Sequence, residues 1–288
     1  MTASATRRDD PLGRLLRDLD LARVGEDRFE ARPGGGMRRL FGGLVAAQAS
    51  VAAARTVEGA RLHSLHGYFV RAGRPGVALR FEVARLRDGR SFATRRVLAL
   101  QHDEVVFELA ASFTGSEEGV AHAFERPLGA VPEPEGLPDW ETLRPLETGE
   151  GPRPPDAIEV RVVQPEDDRP GAEPPPHRMV WMRPRAAPPE DPVAHAALLV
   201  YASDRTLLRT AARLHGALRE RLPASLDHAV WLHRPPRFDD WILYATEAPV
   251  ASGGRAWVVG RMLSRAGERI ATVTQEGLLR RPRPPREA

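Results

Sequence analysis

Stepping by three and four from Ala197 meets Val200, Tyr201, Asp204, Leu207, Leu208 and Ala211. That is the apolar stripe of an amphipathic helix, and the spacing predicts one over Pro192–Arg213. A carboxylate sits in the middle of the stripe. Buried without partners it is expensive, so Asp204 needs polar neighbours or a purpose.

Other stretches alternate with period two. VALRFEV puts Val77, Leu79, Phe81 and Val83 on one face, and VVFELAASF does the same with Val105, Phe107, Leu109, Ala111 and Phe113. Before them come a short strand at Arg28–Arg32, the glycine-rich GGGMRRLFGG, and a small-residue helix from about Gly43 to Thr56. RDGR at 87–90 reads as a hairpin turn whose Gly89 is able to take a positive φ, and the HDE at 102–104 as another. A second segment follows the same order. HRMVWMRPR leads, the Asp204 helix follows, and then come SLDHAVWLHR, WILYATEAPV, RAWVVGRMLSR and RIATVTQEGLL as strands.

Pairing His66 with His228 gives an offset of 162 (228 − 66), and pairing Arg90 with Arg255 gives 165 (255 − 90). A nearly constant offset argues for duplication and a pseudo-twofold molecule, short of the many repeats of a solenoid. Each unit is one helix with antiparallel strands, an α+β plan in which a curled sheet wraps a single apolar helix. The Pro- and Glu-rich PEPEGLPDW and PEDDRPGAEPPP read as linker and loop rather than core. The division predicted is a first repeat over 1–125, a Pro-rich linker over 126–157, and a second repeat over 158–288 with a basic tail.

Composition narrows the class. The 288 residues are 42% hydrophobic and 28% charged, enough for a real core under a soluble surface. No apolar run has membrane-spanning length, and the amino terminus lacks the character of a secretory signal. There is no Cys, hence no disulfide framework and no thiolate, which suits a reducing cytoplasm. Arg supplies every strong base, as in a GC-rich genome, for a net charge of +3 and a pI of about 10.0. The arginines are spread along the chain and aromatics are 6%, which argues against a nucleic-acid partner.

The plan resembles a double hotdog, and particular stretches sharpen the likeness. RRLFGGLVAAQA at 38–49, LHSLHGYFVRAGRP at 62–75 and RLRDGRSFATRRVLALQH at 85–102 resemble the amino-terminal half of the acyl-CoA thioesterase II family. LLVYASD at 198–204, SLDHAVWLHRP at 225–235, VASGGR at 250–255 and VTQEGLLR at 273–280 are similar to its carboxy-terminal half. The resemblance implies hydrolysis of fatty acyl-CoA to a free acid and CoA, without metal or organic cofactor, by a chain that forms homo-oligomers. It also implies an active site made of Asp204, Ser225 and Gln275. One departure is Leu44, where the family usually carries Gln after FGG.

Gln275 has support of its own, since it alternates with Ala271, Val273 and Gly277 on one strand face. A buried amide there is catalytic or simply a structural hydrogen bond. The Phe41-Gly42-Gly43 turn offers backbone N–H groups at a helix start, an oxyanion cradle or a tight loop. Arg71, Arg90 and Arg95 read as contacts to CoA phosphates or as solvated strand arginines. Asp227 is the nearest rival carboxylate, and Asp88 a turn former. No GxSxG elbow accompanies the serines and no HExxH the nine histidines, so neither a serine-hydrolase triad nor a metal site is indicated. The matched His66 and His228 suggest a shared structural role. The first helix offers Gln48 but no carboxylate, which predicts one working site and one that has lost its base. The rival readings are a hotdog hydratase or dehydratase, and a non-catalytic acyl-CoA binder.

Overall fold

The computed structural model describes residues 10–31, 40–125, 127–148, 151, 154–168, 172–215 and 223–280. The first half runs α1 (Pro11–Leu19), β1 (Ala22–Gly25), β2 (Arg28–Ala31), α2 (Gly42–Ala54), β3 (Arg61–Phe69), β4 (Leu79–Asp88), β5 (Phe92–Gln101) and β6 (Glu104–Thr114). Between the halves lies α3 (Trp140–Thr148). The second half runs β7 (Ile158–Val162), β8 (His177–Pro184), α4 (Pro192–Ser203), α5 (Arg209–Arg213), β9 (Ala224–Ser225), β10 (Asp227–Leu232), β11 (Ile242–Ser252), β12 (Arg255–Ser264) and β13 (Arg269–Leu278). The GGGMRR part of the glycine-rich loop and the basic tail lie outside the described residues.

The strands join into one open antiparallel sheet in the order β1-β2-β4-β5-β6-β3-β10-β13-β12-β11-β8-β7, with β9 added beside β13. The two halves meet where β3 pairs with β10. Inside the curl lie α2 and α4, packed on each other, with α2 against β3–β6. Ala46, Ala47, Ala49, Ala52 and Ala53 of α2 are all fully buried, and such small side chains let helix and sheet approach closely. This is the double hotdog that the alternation and the resemblance anticipate.

Ladder registers fix the internal repeat. Val83 pairs with Val97 and Thr246 with Gly260, an offset of 163 (246 − 83, 260 − 97). The histidine match at 162 is therefore one residue out, and a one-residue slip turns a side chain to the opposite face. His66 is exposed and packs edge-on against Trp231, with ring centroids 4.8 Å apart. His228 is fully buried, and its register counterpart is Leu65. The two histidines share no role.

The predicted helix Pro192–Arg213 is two helices with a turn between. Nearly every position of α4 is buried, so it is an apolar core helix rather than an amphipathic one. It stops at Ser203 because polar side chains there bond outside the helical ladder, as Ser and Asp do. The turn falls later than RDGR: Arg87 and Asp88 are still paired in β4, so Asp88 is a strand residue, the chain reverses at 89–91, and Gly89 does not take a positive φ. Positive φ occurs instead at His102 (48°) and Asp103 (63°) in the next hairpin, and at Gly253 and Gly254 between β11 and β12.

The Pro-rich connection is more than loop. Trp181 Nε1 donates to Pro132 O at 3.0 Å, and Arg265 pairs with Glu133 and Glu135. Leu128, Val131 and Leu137 pack on an outer-face cluster containing Met179, Trp181, Trp241 and Leu243. Trp140 joins the main core. The segment straps the outside of the second sheet and then turns inward toward the end of α4.

Candidate active site

Asp204 is the residue on which α4 ends, and its carboxylate crosses to the other repeat. Oδ2 accepts from the Gly43 N–H at 2.7 Å. The N-cap position of α2 is Phe41, whose side chain makes no capping bond, so the first turn of that helix is capped by a carboxylate from the opposite half. Orphan amide donors and the positive helix end both favour an anion there. Glycine makes the approach possible. A Cβ on Gly42 would lie 3.0 Å from Asp204 Oδ2 and 2.8 Å from the Phe69 ring, and one on Gly43 would lie 2.8 Å from Tyr201 O.

The other oxygen, Oδ1, accepts from Gln275 Nε2 at 2.7 Å, and the same Nε2 donates to Ser225 Oγ at 3.0 Å. Gln275 is 1% exposed on the inward face of β13. Ser225 arrives on β9, whose pairing places it opposite Gly277. Helix end, strand and edge strand thus converge, and Asp204, Ser225 and Gln275 form one hydrogen-bonded group. Burial pushes the Asp204 pKa up to about 6, against the lowering effect of the bonds from Gln275, Gly43 and Ser225.

Of the Phe41-Gly42-Gly43 turn, Gly43 spends its N–H on the carboxylate, and the Phe41 carbonyl accepts from Leu44 and Val45. The turn holds the Asp204 carboxylate as well as opening the helix. Leu44 is buried in the core and does not enter this group. Asp227 is taken by the backbone, accepting from Glu276 N at 2.6 Å.

Three further residues, Ser203, His228 and Tyr244, which no sequence pattern marks for this role, hold the chain at Asp204. Ser203 Oγ donates to Val200 O at 2.8 Å and lies 2.7 Å from His228 Nε2, while the Ser203 carbonyl accepts from Tyr244 OH at 2.9 Å. Ser203 and His228 are both fully buried, burial lowers the His228 pKa to about 4, and the Ser203 hydroxyl proton is committed to the Val200 carbonyl, so the pair is a neutral structural contact. The histidine of α4, His195, accepts from Phe238 N through Nδ1 at 3.0 Å. It stands nine positions before Asp204, which removes the helix-borne Asp–His pair that a hydratase would need.

The corresponding place in the first half is filled differently. Arg95 pairs with Ala111 as Val258 pairs with Gln275, and Leu62 pairs with Phe113 as Ser225 pairs with Gly277. Ala111 and Leu62 thus stand where the second half has Gln275 and Ser225. The C-cap of α2 is Arg55, bonded to Asp20 at 2.7 Å, where α4 has Asp204. The Arg95 side chain, 1% exposed, fills this corresponding place. It donates to Thr56 Oγ1 and O, to Arg87 O and to Thr94 O at 2.8–3.0 Å, and at 2.5 Å to Asp88. Arg95 therefore contacts no phosphate. Gln48, the polar residue within α2, donates to Asp18 O at 2.7 Å and ties down α1.

Two fused hotdog units, with one buried Asp–Ser–Gln group in the second, place the chain in the double-hotdog class. The acyl-CoA thioesterase family profile matches residues 155–278, and the profile of the acyl-CoA thioesterase N-terminal domain matches residues 32–114. Human acyl-coenzyme A thioesterase 8 is 37% identical, covering 91% of this chain and 87% of its own. Acyl-CoA thioesterase 2 of Haemophilus influenzae is 33% identical over 94% and 98%. The crystal structure of the acyl-CoA thioesterase II TesB2 from Mycobacterium marinum superposes with a TM-score of 0.78 at 41% identity, covering 93% and 98%. The chain belongs to the acyl-CoA thioesterase family, and its activity is acyl-CoA hydrolysis.

Proposed function

We propose that Asp204 is the general base of this hydrolysis, with Ser225 and Gln275 orienting the attacking water. The observation that carries the reading is Gln275 Nε2 bonded at once to Asp204 Oδ1 and Ser225 Oγ. Gln275 Oε1 is buried without a partner among the described residues, an acceptor left over for a solvent hydrogen. Water gives a proton to Asp204 and its oxygen attacks the thioester carbonyl carbon. The C–S bond then breaks, and the proton passes from Asp204 to the departing thiolate, leaving a free acid and CoA. A base with a pKa of about 6 is mostly ionised at pH 7 and still returns a proton readily. The positive end of α2 and the Gly42 N–H face the developing oxyanion, since the Gly43 N–H is already committed.

The substrates proposed are fatty acyl-CoAs. With a thiol reagent as detector, short-, medium- and long-chain acyl-CoAs are expected to release one CoA thiol per turnover. A hydratase or a binding protein releases none, and that result rejects the assignment. Gly43→Ala drives a Cβ against the Tyr201 carbonyl and moves the first turn of α2 away from Asp204. Displacements of this kind are worth about 10²-fold in kcat, so a Gly43→Ala enzyme within threefold of wild type contradicts the proposed role of that turn.

A homo-oligomer is the proposed assembly, supported by the exposed apolar side chains of Tyr68, Val70 and Phe92 in the first half, and sedimentation measures it. A cytoplasmic setting is supported by the absence of Cys.

A further inference from the structure

The base is one residue of a short turn, and the residues on both sides of it are anchored by side chains. Ser203 is held from β10 and β11 by His228 and Tyr244. On the other side stands Arg205, whose side chain is 7% exposed. It is gripped from outside the second repeat's own helix and sheet layers. Arg205 pairs with Asp156 and donates to Glu141 Oε1 at 3.1 Å, and its guanidinium carbon lies 5.6 Å from the Trp140 ring. Asp156 is itself fixed, accepting from Tyr201 OH at 2.9 Å and from the Ile158 N–H at 3.0 Å.

We propose that Arg205 is a positioning residue for Asp204, anchored by the segment that joins the two repeats. The backbone offers this turn little support. Asp204 N–H and Arg205 N–H both point back to Ala202 O. The bonds from Gln275 and Gly43 hold the carboxylate end of Asp204, but the peptide C-terminal to it needs a second fixed point. Arg205 supplies it, with a planar fork that two carboxylates grip from two directions. A catalytic group must be held within a fraction of an ångström to act, so this tether bears on turnover more than on substrate binding.

The tether also has an electrostatic side. Facing the base are Tyr244 from β11, His228 from β10 through Ser203, and Tyr201 from α4. Burial keeps all three neutral near pH 7. Asp227 lies beyond Ser225 on β10, and the guanidinium carbon of Arg209 on α5 lies 4.9 Å from the Trp140 ring. The Arg205 cation is the charge nearest Asp204 in sequence, and Asp156 and Glu141 neutralise it locally. Removing Asp156 takes a negative charge from this cluster and leaves Arg205 paired with Glu141 alone, which favours the ionised base.

The inference rests on Asp204 being the base, and CoA release by the full-length protein tests the two separately. Arg205→Met is expected to lower kcat by about tenfold or more while KM stays within about twofold. Asp156→Asn is expected to move the acidic limb of the kcat profile to lower pH, which a purely structural contact would not do. The triple variant Arg205→Met, Asp156→Asn, Glu141→Gln leaves no buried charge unpaired and guards against misfolding. It is expected to melt near wild type and still turn over slowly. A triple variant with wild-type kcat and an unmoved acidic limb overturns the proposal, as does a loss confined to KM. An Asp204→Asn enzyme that releases CoA at the wild-type rate overturns the reading of Asp204 as the base instead.

Discussion

Asp204→Asn is expected to lower kcat for acyl-CoA hydrolysis by about 10²–10⁴-fold, the usual worth of a positioned base. The wild-type acidic limb should lie near pH 6, where burial places the Asp204 pKa, and the variant's residual rate should lack that limb. Stability runs the other way. The folded-state pKa is raised above the ordinary value of 3.8, so the ionised carboxylate weakens the fold above about pH 6. Stability grows as the pH falls through 6 toward 3.8 and levels off below it. The shift corresponds to about 3 kcal/mol held against the fold at pH 8. Asn carries no charge to bury, and the melting temperature of Asp204→Asn at pH 8 is expected to be no lower than wild type. A variant that keeps its activity, or one that melts well below wild type, contradicts this account.

The second large effect lies far from the chemistry. Arg95→Met strips donors from the buried hydroxyl and carbonyl of Thr56, just past the end of α2, and from the part-buried carbonyls of Arg87 on β4 and Thr94 on β5. Each buried acceptor left without a donor costs about 1–3 kcal/mol, and the expected total is about 3–5 kcal/mol in chemical denaturation. The methionine fills much of the vacated volume, so the loss is polar rather than a cavity effect. Activity per folded molecule should be unchanged, because Arg95 sits in the half that has no base. A loss below about 1 kcal/mol would mean that water readily replaces the guanidinium.

What the residue pattern reveals here follows from its physics. Period-two alternation, as from Leu79 to Val83 and from Val105 to Phe113, carries the strands, because one face of each must be buried; β4, β6, β12 and β13 lie where the alternation puts them. The helical stripe through Asp204 overruns the true end of α4 because Leu207, Leu208 and Ala211 remain buried beyond the turn, and burial does not distinguish one helix from two. Matching His66 to His228 puts identity of residue above identity of face. Trp140 is hidden inside a Pro-rich run, although an aromatic there is the one sign that the segment packs. Asp204, Ser225 and Gln275 are legible through family likeness, and their convergence becomes visible only with the fold. The glycines at 42–43 mark a helix start with free N–H groups but not the carboxylate that Gly43 receives, and the Ser203 carbonyl carries no signal at all, since every residue type brings the same acceptor. Arg205, Asp156 and Glu141 lie as many as 64 positions apart, a long-range pairing that local spacing does not encode.

Fusion of the two units in one polypeptide frees each half to carry different residues, and among the described residues only the second carries the Asp204–Ser225–Gln275 group, with the Arg95 guanidinium at the matching place in the first. An inhibitor titration should therefore reach its end point at one equivalent per chain, and no pair of simple reversions at Leu62 and Ala111 would double it while the guanidinium still occupies the space.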